Sequence, residues 1–126
     1  MVKIAGSVPP LDPKAVRRRE AAAKVTASLP RAWLDEFQTE DELAVLQFIM
    51  ERVLANGSCE MSRRELAQRA GVTPHVVRRT VSNAIAEGLV QITAWSKGSS
   101  AIDRISRIEV LDPRWLERAK RLVEKE

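Results

Sequence analysis

Five residues between positions 74 and 87 carry the chemistry legible in this chain. His75, Arg78, Arg79, Ser82 and Asn83 recur at spacings of three and four, so an α-helix puts them on one side. They are hydrogen-bond donors and cations, the kind that reach base edges and phosphates in a major groove. Val77, Val81, Ala84 and Ile85 fall on the other side and make one apolar stripe. The alternative is an ordinary amphipathic helix with a solvated polar face. Catalysis is not expected. His75 is the single histidine, and no nucleophile–base partner or ligand set lies near it in sequence. The chain has no phosphate-cradling Gly-rich loop and no spaced carboxylates for a metal. No cofactor and no metal are therefore expected. His75 reads as a polar residue facing DNA, with pH sensing as the alternative.

The residues around this face supply what it needs to be held in place. Ser62 with Glu65 makes a capping box for a preceding helix, whose apolar side is Leu66, Ala67 and Ala70. Gly71 stands where that helix must end, in a conformation only glycine adopts without cost. Val72 plugs the angle between the helices. Thr73 caps the second helix and Pro74 takes its first position. Gly88 closes it, and Leu89-Val90 opens a strand. Helix, tight turn and helix over residues 62–90 make a helix-turn-helix. Ser62, Arg63 and Arg64 at the start of its first helix join Thr73, Pro74, His75, Arg78, Arg79, Ser82 and Asn83 as candidate DNA contacts.

Two strands follow. Val90 to Trp95 alternates, with Val90, Ile92 and Ala94 on one face. Lys97-Gly98-Ser99-Ser100 is a turn-rich tip. Ile102 to Val110 returns with Ile102, Arg104, Ser106, Ile108 and Val110 on one side, and Ile105 opposite Ile108 implies a bulge in that strand. Such a hairpin is a wing, with Lys97, Ser99, Arg104 and Arg107 as candidate contacts to the flanking backbone. The alternative is a hairpin that only closes the core.

Upstream, residues 1–11 have no period and read as a mobile arm. Asp12-Pro13 then caps a stretch of high helix propensity but few large apolar residues. Residues 1–29 are thus expected as a basic arm, partly helical or mobile. Its Arg17, Arg18 and Arg19 either follow phosphates or a minor groove or form a solvated, frayed helix. Trp33, Leu34 and Phe37 follow Pro30 as a short helix. Thr39 with Glu42 caps the central scaffold helix, which carries Leu43, Leu46, Phe48, Ile49, Val53 and Leu54 and ends at Asn56-Gly57. Its acidic surface is expected to face away from DNA. Ser58 to Met61 is a short strand. Asp112-Pro113 caps a last amphipathic helix, which either folds back on its own core or pairs with a second protomer through Trp33, Phe37, Trp115, Leu116 and Leu122.

Charge divides along the chain. Lys and Arg outnumber Asp and Glu by seven to two over residues 1–31 and by eight to three over 62–107. The ratio is one to seven over 32–61 and even over 108–126. Positive charge on the arm and the helix-turn-helix is the footprint of a nucleic-acid binder. Tyr is absent and aromatic content is 4%, too little for a single-strand stacking platform. Cys59 is the one cysteine, which precludes an internal disulfide. It reads as a small buried hydrophobe, with redox sensing as the alternative. No apolar run reaches the length of a membrane span, and no signal-peptide core opens the chain. A cytoplasmic, nucleoid-associated protein is expected.

The order helix, short strand, helix, turn, helix, hairpin resembles winged helix-turn-helix proteins. SRRELAQRAGVT, followed by VRR and EGLV, is similar to the DNA-binding half of GntR-type and MarR-type bacterial transcription regulators. The resemblance covers about residues 40–110. It implies that Thr73, Pro74, His75, Arg78, Arg79 and Ser82 touch DNA. GntR-type regulators carry a large effector domain after the wing, whereas this chain ends at residue 126, so ligand control through such a domain is not expected. MarR-type flanking helices dimerise, which the two ends here imitate in miniature. The fold expected is mainly α with a small β-hairpin, a winged helix-turn-helix over 30–111 with extra N- and C-terminal helices, the latter over 112–126. The function expected is a sequence-specific double-stranded DNA-binding transcription regulator, a repressor. The alternatives are an accessory of plasmid replication or recombination and a protein-interaction winged helix.

Overall fold

Capping chemistry sets the helix starts. The Lys14 backbone N–H donates to Asp12 Oδ1 at 3.0 Å, and α1 runs Pro13–Ser28. After Pro30 comes a single turn, α2 (Arg31–Leu34). Thr39 Oγ1 accepts from the Glu42 N–H at 3.2 Å at the start of α3 (Glu40–Asn56). The Thr39 hydroxyl also donates to Glu42 Oε1, so the two side chains bond each other. Ser62 ends β1 (Cys59–Ser62) and caps α4 (Arg63–Ala70), its Oγ accepting from the Glu65 N–H at 3.0 Å. Thr73 does the same for α5 (Pro74–Ala86) through the Val76 N–H. Each such cap is worth about 1 kcal/mol. Strands β2 (Val90–Trp95) and β3 (Ile105–Val110) precede α6 (Pro113–Lys125). The computed structural model describes residues 12–37, 39–96, 100 and 102–125.

The protein is mainly helical with one small antiparallel sheet. Strand order is β1-β3-β2, so the β2–β3 hairpin gains β1 as a third strand on its far side. The bulge is not in β3, where the Ile105/Ile108 conflict placed it. Ile92 pairs with Ile108 and Ala94 with Arg107, so the irregularity lies at Thr93 on β2. Ala94 stands across from exposed Arg107, yet burial still alternates along β2, with Val90 buried, Ile92 and Ala94 half-buried and Gln91, Thr93 and Trp95 exposed. Ile105 does lie opposite Ile108: it is exposed and Ile108 is buried. β3 also starts later than its apolar pattern suggests, because Ile102 and Asp103 form a turn.

α3 is the scaffold. Val45, Leu46, Ile49 and Met50 are buried on it, against Leu66 and Ala70 of α4, Val77 and Val81 of α5, and Ile108 of the sheet. α1 is not a frayed arm. It packs on α3 more extensively than any other pair of elements touch, burying Ala21, Ala22 and Val25. Its small side chains let the two backbones approach, so contact comes from proximity rather than side-chain bulk. α6 folds back on the same core. Trp115 is fully buried and its Nε1 donates to Ser28 Oγ at 3.2 Å, while Trp33 Nε1 donates to Asp112 Oδ2 at 2.6 Å. Two residues expected at a dimer contact, Phe37 and Trp115, are thus 0% exposed within their own protomer. Trp33, Leu116 and Leu122 keep partial exposure. Among the described residues no helix is long and apolar enough to cross a membrane.

Candidate nucleic-acid interface

α5 turns Val77, Thr80, Val81 and Ala84 inward, and its period therefore turns the polar residues out. His75, Arg78, Arg79, Ser82 and Asn83 line one open groove together with Ala86. No carboxylate lines that groove. All five residues predicted for this face are brought together there.

A second hollow adjoins it, between α5 and the sheet. Arg78 and Ser82 line both. The second hollow adds Ser62 and Arg63 from the β1–α4 junction and Arg104 and Ser106 from the hairpin. Ser106 is a polar lining residue missing from the sequence-derived set. The signal was present, because alternation puts Ser106 on the side of Arg104 and Ile108.

The remaining predicted contacts are placed differently. Arg64 Nε donates to Asp103 Oδ1 at 2.8 Å, and Arg107 Nε donates to Glu60 Oε1 at 3.1 Å across the β1–β3 register. The bond from Arg64, then that from Ser100, holds the Asp103 carboxyl below its usual range. Arg18 Nε lies 3.2 Å from Glu40 and from Asp41, and its Nη1 donates to the Gly71 carbonyl oxygen at 2.7 Å. Arg19 is 4.0 Å from Glu40, while Arg17 is exposed. Thr73 and Pro74 line a third hollow with Lys14, Gln68, Arg64 and Asp41. The acidic start of α3 therefore lies beside the turn, with Arg18 set against it. Lys14 is not legible there from the sequence, since no local pattern brings α1 to this turn, while Gln68 belongs to α4, which ends at it. Lys97 and Ser99 lie outside the described residues.

Among residues 62–107 the arginines thus fall into two groups. Arg64, Arg69 and Arg107 each have a carboxylate partner. Arg63, Arg78, Arg79 and Arg104 have none among the described residues, and all four line the two adjoining hollows of α5. Cys59 is fully buried, and burial pushes its thiol up to about 11. Such a thiol stays protonated and unreactive near neutral pH, against the redox-sensing alternative. Neither a family model nor a curated protein matches the sequence.

Proposed function

We propose that this chain is a winged helix-turn-helix protein that binds double-stranded DNA sequence-specifically in the bacterial cytoplasm and represses transcription. α5 enters the major groove and the β2–β3 hairpin lies along the flank. The observation that carries this reading is the carboxylate-free groove of His75, Arg78, Arg79, Ser82 and Asn83 on the exposed face of a capped helix. A helix that needed only solubility gains by placing acids near its arginines, and this face has none. Arg78 and Arg79 can each pair bidentately with guanine O6 and N7 or bind a phosphate. Each good base pairing contributes roughly 1–3 kcal/mol of discrimination.

Selection from a random duplex pool, with affinity followed over a salt series, tests the proposal. An enriched motif with steep salt dependence is expected. An inverted repeat in that motif would add a second copy of the chain. Enrichment and affinity that survive replacement of Arg78 and Arg79 together by Gln would remove α5 from the interface.

A further inference from the structure

We propose that the hollow between α5 and the sheet binds a phosphoryl group, with Arg104 as its inner donor. The hollow measures about 120 Å³, roughly ten times the space that admits one water on this measure. Three guanidinium-bearing residues from three separate stretches of chain line it: Arg63 of α4, Arg78 of α5 and Arg104 just before β3. Ser62, Ser82 and Ser106 add hydroxyl groups, and the rest of the lining is apolar. No carboxylate lines it.

Arg104 decides the reading. Its Nε is buried and has no hydrogen-bond partner among the described residues. The acid beside it in sequence, Asp103, is engaged by Arg64 and Ser100. Arg104 as a whole is half-buried, and a guanidinium nitrogen that is buried without an acceptor is costly. That cost falls when an anion with several acceptor oxygens enters, because guanidinium geometry matches a phosphoryl group. The phosphoryl group comes either from a DNA backbone or from a free phosphorylated molecule. Only the first source rests on the DNA-binding reading.

The test titrates inorganic phosphate into the full chain at fixed ionic strength, following backbone amide NMR shifts. Saturable shifts are expected at Ser82, Ser106 and Arg104. Arg104→Gln should weaken them by roughly tenfold or more, the loss of one charge-assisted hydrogen bond, while Arg79→Gln leaves them in place. Arg104→Lys keeps the charge but not the Nε–H, and it should show an intermediate affinity, so the proposal stays testable if the Gln variant folds poorly. Shifts that never saturate, or that persist unchanged in both Arg104 variants, overturn the proposal. A duplex titration then separates the sources. If the DNA backbone fills the hollow, the same amides shift, phosphate competes, and Arg104→Gln weakens all sequences alike and lowers the salt slope by about one. If phosphate saturates but the duplex leaves these amides untouched, the source is a free phosphorylated molecule. Failure to bind any DNA with phosphate still saturating overturns the DNA reading and leaves the hollow's assignment standing.

Discussion

Arg18 donates from Nη1 to the carbonyl oxygen of Gly71 at 2.7 Å, across 53 positions of sequence. The same guanidinium holds Glu40 and Asp41 through Nε. One side chain of α1 thus joins the start of α3 to the turn between α4 and α5. Gly71 has φ +74°, and a Cβ there would stand 2.9 Å from the Lys14 carbonyl oxygen. The turn is held from within by its backbone conformation and from outside by α1.

Gly71→Ala should cost more than Gly57→Ala. Both glycines have positive φ, which costs an alanine roughly 1–2 kcal/mol. Gly57 has open space around it, whereas Gly71 meets the α1 backbone, adding roughly 1–3 kcal/mol of overpacking. Urea unfolding of the two variants compares them, and equal losses would show that α1 does not press on the turn.

Arg18 and Arg79 should separate stability from binding. Arg18→Gln removes the bond to Gly71 and leaves Glu40 beside Asp41, lowering stability by about 1–2 kcal/mol after screening of the half-exposed acids. Its salt slope for duplex DNA should match that of the parent. Arg79→Gln should leave the unfolding midpoint unchanged and weaken duplex binding. A reversed pattern would move Arg18 into the interface.

Thr80→Val should stabilise the protein by about 1 kcal/mol. Thr80 is fully buried in α5 and its Oγ1 has no hydrogen-bond partner among the described residues. An unsatisfied buried hydroxyl costs free energy that a methyl of similar shape does not. Both side chains are β-branched, so helix propensity changes little. Thermal unfolding reads the difference, and a loss of stability would point to a partner for the hydroxyl.

Acid sensitivity should depend on Asp112. Burial pushes its carboxyl up, but bonds from the Arg114 side chain, Trp33 and the Arg114 backbone outweigh this and bring it down to about 2. Its folded value lies below its unfolded value of 3.8. The stability it contributes, at most about 2 kcal/mol, is therefore present above about pH 4. It is lost as pH falls through about 2. Asp112→Asn should lower stability at neutral pH and flatten the decline over that acid window, measured by denaturant unfolding at each pH.

Local signals made much of this legible. Asp12, Thr39, Ser62 and Thr73 each cap the helix that their sequence position announces, because a cap is decided within three residues. The α5 face follows from a period of 3.6 and needs nothing remote. The polarity of Arg64 and Arg107 was equally plain, but their partners were not. Asp103 lies 39 positions from Arg64, and Glu60 lies 47 from Arg107. The shortage of large apolar residues in α1 leaves a solvated, frayed helix open in the sequence, whereas the small alanines are what it buries. The sequence leaves Phe37 and Trp115 open between the core and a dimer contact, because a stripe on one helix does not say whether its own core or another chain covers it.

The irregularity at Thr93 also bears on how the protein keeps apart from copies of itself. β2 and β1 are the two outer strands of the sheet. An outer strand with a long, flat ladder invites another chain to add on. Here β1 spans four residues, and the register break bends β2 partway along its length. Neither margin offers a long regular template, so the backbone shape of both outer strands disfavours the addition of another chain edge to edge.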